Sequence, residues 1–303
     1  AMGLTTERSR ADAAIVLGFP TYREPAQRLA RRAGLDYDDI VIHSFPDNES
    51  LVRLPEHLPP RVILCCSLND ANRRLIELEL AAATAAELGA ERLTLVAPYL
   101  CYMRQDIAFN PGESVSQRII GRLLARHFDT LITVDPHLHR TSDLSDAVPV
   151  RRALVVSAAP TLAAWLASHA QRPLLLGPDE ESAQWVSAIA APDGLEFGVA
   201  RKQRLGDREV RIELPAMTFA DRQIVLVDDI VSTGHTLAET ARQLSAHGPA
   251  SISVLVTHAL FVDGALARLR AAGVDVIYST DSVEHPSNQI HLDAILATAL
   301  DEE

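Results

Sequence analysis

Asp228 and Asp229 close an apolar run, Val225-Leu226-Val227, and are followed by Ile230-Val231-Ser232-Thr233-Gly234-His235-Thr236-Leu237. The run reads as a buried strand, and Ser-Thr-Gly as a short loop that opens a helix. Backbone N–H groups and hydroxyls at such a point form a cradle for an anion such as phosphate. The two carboxylates cannot hold that anion, because like charges repel. Beside it they suit neutral hydroxyl donors such as a sugar diol, directly or through a metal. A phosphorylated sugar fits both halves of the motif. A second cluster lies in Ala200-Arg201-Lys202-Gln203-Arg204, after a strand and before Leu205-Gly206-Asp207, a loop-like break able to swing over a substrate. Of the 28 basic residues 27 are arginine, and Lys202 is the one lysine. A lysine differs from arginine where a compact, flexible point charge is required in place of a planar fork.

The elements that must position these residues alternate in type along the chain. Strands are predicted near 13–17, 40–44, 51–54, 62–66, 93–96 and 130–134, with helices near 23–33, 71–88 and 114–127. Asn69 or Asp70 is expected to cap the middle helix and Gly89 to end it. The second half repeats the rhythm, with strands near 173–176, 196–200, 209–214, 224–227, 252–256 and 275–278 and helices near 158–169, 180–190, 236–247 and 264–271. This is the pattern of α/β domains with mainly parallel sheets. Two runs, Leu131–Asp135 and Ile224–Asp229, are both hydrophobic strands ending in acid, which delivers carboxylate to the sheet edge where open α/β folds bind ligands. They imply a duplicated domain, 1–150 and 151–303, with the junction between Asp146 and Ser157.

The 303 residues are 48% hydrophobic and 22% charged, inside the ordinary globular range. Net charge is −12 with no block of Lys or Arg, which excludes general nucleic-acid binding. No stretch approaches the apolar length of a membrane span, and no basic-then-apolar leader is present, so a cytoplasmic protein is expected. Cys65, Cys66 and Cys101 lie in apolar runs without metal spacing and read as core residues. His137 and His139 have no suitable third or fourth ligand nearby, which argues against structural zinc.

The Val225–Leu237 segment resembles the phosphoribosyl-pyrophosphate (PRPP) motif shared by type I phosphoribosyltransferases and ribose-phosphate pyrophosphokinases. Other segments resemble the second family: Tyr99 to Asp106 with the Phe109–Ser114 run, Phe45-Pro46-Asp47-Asn48-Glu49, and Thr133-Val134-Asp135-Pro136-His137. The match spans about residues 12–295, in the family's order. It implies an α/β fold of two tandem phosphoribosyltransferase type I-like domains, the first on the ATP side, the second carrying the sugar-phosphate and catalytic loops. It implies transfer of pyrophosphate from Mg²⁺·ATP to ribose 5-phosphate, giving PRPP and AMP. ATP falls to Arg104, Gln105, Asp106 and His137, and to Phe45, Asp47 and Glu49, whose ring can stack on adenine and whose carboxylates can accept from its amine. Ribose 5-phosphate falls to Asp228, Asp229 and Ser232, Thr233, Gly234, His235 and Thr236. Lys202 and Arg204 stabilise the group in flight, and the metal falls to His137 and Asp179. In the family the Phe45 loop reaches a neighbouring subunit's ATP, so a homodimer or higher homo-oligomer is implied.

The chain departs from the family at Glu180-Glu181, where small residues are usual and two extra charges would repel phosphates. Asn48 replaces a commoner glycine but still permits a positive φ. The Phe109–Ser114 run is closer to archaeal-type members, and phosphate-dependent allosteric control is not carried over. Two alternatives stand beside the synthase: a phosphoribosyltransferase that consumes PRPP, and a non-catalytic regulatory homologue.

Overall fold

The computed structural model describes residues 13–138, 140–204 and 210–302, with side chains for all of these but 203, 204, 210 and 211. Within them the chain forms two compact units: residues up to Val156 with those from Asp293 onward, and Ser157–Leu292. Each is built on a six-stranded, all-parallel sheet. The linear division at about residue 150 therefore needs one correction, because the last helix belongs to the first unit.

The first sheet uses β1 (Ala14–Gly18), β2 (Asp36–Asp39), β5 (Arg61–Cys65), β6 (Arg92–Val96), β7 (Thr130–Val134) and β8 (Arg152–Val156), in the order β2-β1-β5-β6-β7-β8. The second uses β9 (Leu174–Gly177), β10 (Phe197–Val199), β13 (Gln223–Val231), β14 (Ser251–Ala259), β15 (Val276–Thr280) and β16 (Asn288–Ile290), in the order β10-β9-β13-β14-β15-β16. The two orders are the same. Central strands such as Ile63, Leu64, Leu95, Leu226 and Val254 are fully buried, as helix-covered parallel strands must be. The cover comes from α1 (Arg23–Ala33), α2 (Ala71–Glu87), α3 (Ser116–Leu124) and α4 (Leu144–Ala147) in the first unit, and from α5 (Ala159–His169), α6 (Ala183–Ala190), α7 (His235–Ser245) and α8 (Ala265–Ala271) in the second. The remaining helix, α9 (Asp293–Asp301), packs on α1, β7 and β8, where Asp293 pairs with Arg32.

Each unit also inserts a separate two-stranded antiparallel hairpin before its central strand: β3 (Val41–Ser44) with β4 (Ser50–Arg53), and β11 (Arg201–Arg204) with β12 (Val210–Glu213). Ile40 N donates to Gly18 O at 2.9 Å, and Ala200 N donates to Gly177 O at 2.9 Å, so both hairpins leave the sheet at the same point.

The register shows which strands of the two units are equivalent. Cys65 pairs with Gly18 and Val96, and Ile132 with Val96; Leu226 pairs with Leu176, Val227 with Leu255, and Leu255 with Tyr278. Hence β13 corresponds to β5, not β7, and Asp228-Asp229 occupy the place of Cys66-Ser67. Asp135 corresponds to Asp281. Acid at a strand end is too general a feature to establish which strands are equivalent; hydrogen-bonded register does.

Local predictions hold with particular exceptions. Asp70 is the N-cap of α2 but in the left-handed region at φ 54°, and its side chain makes no cap bond; its carbonyl accepts from Arg74 N at 3.1 Å. Cys65, Cys66 and Cys101 are buried, and desolvation pushes the Cys66 and Cys101 thiols up to about 12. Among the described residues no helix is long and apolar enough to cross a membrane.

Candidate active site

In the second unit β13 does not stop at its acids. It continues through Ile230 and Val231, which pair with His258 and Ala259 of β14. The alternation of the strand turns Asp229 inward, 4% exposed, and leaves Asp228 half-buried. Asp228 Oδ1 accepts from Asp229 N at 3.0 Å, and Asp229 Oδ1 from Ile230 N at 2.9 Å. Burial, then the charge of Asp229, then that of Asp179 push the Asp228 carboxyl well above the usual carboxylate range. Paired carboxyls at this point can accept from the hydroxyls of a diol.

After Val231 the chain turns through Ser232 and Thr233 to Gly234, the N-cap of α7, at φ 68°. That left-handed geometry favours glycine, and an added Cβ would meet the Leu269 side chain at 3.4 Å. The turn is held from the neighbouring βα unit: Leu260 N donates to Val231 O at 3.0 Å, Val262 N to Ser232 O at 3.1 Å, and the Arg268 guanidinium to Thr233 O. The first-turn N–H groups of α7, which include those of His235 and Thr236, therefore point out of a fixed helix start.

Lys202 and Arg204, expected between a strand and a loop-like break, stand on a strand of their own. The 201–204 run pairs with 210–213, Lys202 opposite the buried Ile212, so the ribbon fixes the lysine backbone. Residues 205–209 and the Arg204 side chain lie outside the described residues. Lys202 Nζ donates to Thr236 Oγ1 at 3.3 Å, and its charge also acts on Asp179. A recess of about 450 Å³ opens here, lined by Lys202, His235, Thr236, Glu239, Arg242 and Arg268. Glu239 follows Thr236 by three residues on one helix face, a spacing legible in sequence. Arg268 comes from a different helix and has no such signal.

Asp179 precedes a 3-10 turn, Glu180–Ser182, whose Ser182 hydroxyl donates to the Asp179 carbonyl at 2.6 Å. Burial and then the Glu181 charge raise the Asp179 carboxyl, with Lys202 opposing. Glu180 and Glu181 are both exposed, so the outward orientation that relieves their charge is present, although Glu181 still acts on Asp179.

In the first unit the Phe45–Glu49 tip joins β3 to β4. Phe45 N donates to Glu49 O at 2.8 Å, Asn48 N to Phe45 O at 3.0 Å, and Glu49 N to Asp47 Oδ1 at 3.2 Å. Asn48 adopts φ 71°, the conformation for which asparagine substitutes for glycine. Phe45 is 40% exposed and meets His43 edge-on at 4.9 Å. The hairpin is held from below by Glu77 of α2, fully buried, which accepts from Ser50 Oγ at 2.9 Å and pairs with Arg73 and Arg74. Arg73 also reaches Ser44 Oγ. The sequence pattern did not single out the link from α2 to the hairpin, because Ser50 lies 27 residues from Glu77 and Ser44 lies 29 from Arg73.

Arg104 is exposed, and Gln105 Oε1 accepts from Ser116 Oγ at 3.3 Å. Asp106 differs from both. It is 4% exposed and accepts from Arg140 N at 3.2 Å and Arg140 Nη1 at 3.0 Å. Burial alone would push its carboxyl up, but these bonds outweigh it and hold the carboxyl below the usual range. Its carboxylate is thus engaged in holding the loop at Arg140. His137 is half-buried after β7, and His139 lies outside the described residues. His137 belongs to the first unit and Asp179 to the second.

Duplicated parallel-sheet units, a Ser-Thr-Gly turn after β13 and a lysine-bearing hairpin define a protein of tandem phosphoribosyltransferase-like halves. A family model described as the N-terminal domain of ribose phosphate pyrophosphokinase matches residues 15–127, and one described as a phosphoribosyl transferase domain matches residues 153–291. Ribose-phosphate pyrophosphokinases of Methanopyrus kandleri and Halobacterium salinarum are each 34% identical to the chain, the first over 95% of it and 98% of its relative, the second over 91% and 96%. A crystal structure of phosphoribosylpyrophosphate synthetase from Mycobacterium smegmatis shares the fold, with a TM-score of 0.80 at 20% identity over 95% of this chain and 98% of that one. The chain belongs to the ribose-phosphate pyrophosphokinase family.

Proposed function

We propose that the chain transfers the β,γ-pyrophosphoryl group of ATP to the 1-hydroxyl of ribose 5-phosphate, with ribose 5-phosphate held by the second unit. The observation that carries this assignment is the bond from Lys202 Nζ to Thr236 Oγ1, which joins the one lysine of the chain to the helix start that follows Asp228 and Asp229. The 5-phosphate takes the N–H groups and hydroxyls of Ser232, Thr233, Gly234, His235 and Thr236, and the ribose diol takes Asp228 and Asp229. In the reaction the ribose O1 forms a bond to the β-phosphorus while the bond from that phosphorus to the α,β-bridging oxygen breaks. AMP leaves with that electron pair, and the hydroxyl proton departs to solvent. Lys202, with Arg204 on the same strand, supplies positive charge to the oxygens of the group in transit.

ATP is assigned to Arg104, Gln105 and His137, with Phe45, Asp47 and Glu49 of the exposed tip supplied to a second copy in a homo-oligomer. Asp106 contributes by fixing that segment. Among the described residues no group of three His, Cys, Asp or Glu is placed to hold a metal ion. The adjacent carboxylates Asp228 and Asp229, which act on each other through charge, would suit Mg²⁺, which takes one or two carboxylates and completes its shell with water and substrate oxygens. Bound there, Mg²⁺ would neutralise phosphate charge. His137 fits the phosphate oxygens better than this metal, since imidazole is a soft donor for it.

The test is incubation with ATP, Mg²⁺ and ribose 5-phosphate, with AMP and PRPP separated by chromatography. Equal appearance of both supports the assignment. Pyrophosphate release that needs PRPP and a nucleobase would replace it with a phosphoribosyltransferase, and binding without turnover with a regulatory homologue.

A further inference from the structure

At the opposite, amino-terminal edge of the second sheet lies a recess of about 140 Å³ between the last turn of α5 and the first residues of β13, β14 and β15. It is lined by Trp165, His169, Gln223, Ser253, Asp275 and Tyr278, among others. The site residue Asp228 is five positions along β13 from Gln223, about 17 Å at the rise of a strand. Nothing in the transfer chemistry uses this edge.

The first unit shows what belongs at the equivalent place. By register Arg61 of β5 corresponds to Gln223 of β13, and Asp129 to Asp275. Asp129 Oδ2 accepts from Leu93 N at 3.1 Å, and Asp275 Oδ2 from the equivalent Ile252 N at 2.9 Å. The helix α9 fills in the first unit the place of α5 in the second: α9 packs on α1 and β8, α5 on α6 and β16. In the first unit the Arg61 guanidinium bridges the gap, with Nη2 donating to the Leu300 carbonyl in the last turn of α9 at 3.4 Å. In the second, Gln223 is shorter and uncharged, and the gap stays open.

The walls of that gap favour a cation. The last turn of α5 presents the negative end of its helix, and Asp275 adds a carboxylate. The second unit also has Tyr278 where the first has Ile132, and its ring lies 4.6 Å from Trp165, which stacks on His169 at 4.2 Å. Aromatic faces beside a carboxylate and a helix C-terminus attract guanidinium and ammonium groups. We infer that this recess binds a small organic cation bearing a guanidinium group, which takes the position that Arg61 fills in the other half of the same chain.

The experiment titrates methylguanidinium chloride into full-length Trp185→Phe protein at pH 8 and follows the fluorescence of Trp165, the remaining tryptophan. Potassium chloride at equal ionic strength serves as reference. A saturable change is expected, weakened about tenfold by Asp275→Asn and abolished by Gln223→Arg, which supplies the guanidinium internally and raises Tm by about 2–4 °C. A change no greater than that with potassium chloride, or one that both variants leave intact, overturns the site. Dissociation of an oligomer by methylguanidinium, seen by light scattering, also overturns it, because the recess would then hold an arginine of a second copy.

Discussion

The two hairpins are the most instructive pair of regions in the molecule. Each leaves its sheet after the edge strand, and each has two strands of four residues. One presents an exposed phenylalanine with two carboxylates on a tip braced by Glu77; the other presents Lys202 toward the helix start at Thr236. The strands behind them diverge in the same way. Cys66-Ser67 in the first unit is buried, whereas Asp228-Asp229 at the same position forms a crowded acid pair. A duplicated scaffold has thus kept its register and exchanged the side chains at its carboxyl edge, which fits a division into a nucleotide half and a sugar-phosphate half.

The division breaks most visibly at Lys202. Lys202→Ala is expected to lower turnover about 10³-fold with little change in ribose 5-phosphate affinity, read by steady-state kinetics and calorimetry; near-normal turnover would remove the lysine from the chemistry. Phe45→Ala on the other hairpin is expected to raise KM for ATP about tenfold while kcat stays within about twofold, the signature of lost uniform binding. An equal loss in kcat would place the tip in the reaction itself.

Asp228 sharpens the comparison through pH. Its folded-state carboxyl is raised, so the stability its proton confers is full below the ordinary carboxylate range and is lost as pH rises through the raised value. In substrate-free protein at neutral pH, Asp228→Asn is expected to raise Tm by about 2–4 °C, and the gain should close as pH falls to about 4. Scanning calorimetry across that range decides it. The smallest effect concerns the two left-handed helix starts. Asp70→Gly should change stability by no more than about 0.5 kcal/mol, since its side chain caps nothing, while Gly234→Ala should cost about 1 kcal/mol through φ and the contact with Leu269. Urea unfolding compares the pair.

The sequence by itself determined what is local. Apolar runs of five residues, the Ser-Thr-Gly turn into α7 and the alternation of strand and helix are each written in contiguous residues, because buried parallel strands and helix starts impose their own composition. Asn48 at positive φ was legible for the same reason. Tertiary structure decided what depends on distant partners: that β13 answers to β5, that Lys202 sits on a ribbon paired with Ile212, that Asp106 is taken by Arg140, and that Arg268 braces Thr233. It also sent α9 back to the first unit, where it covers the face that α5 covers in the second. Burial, register and charge coupling arise from residues tens to hundreds of positions apart, and only the folded chain brings those residues within hydrogen-bonding distance.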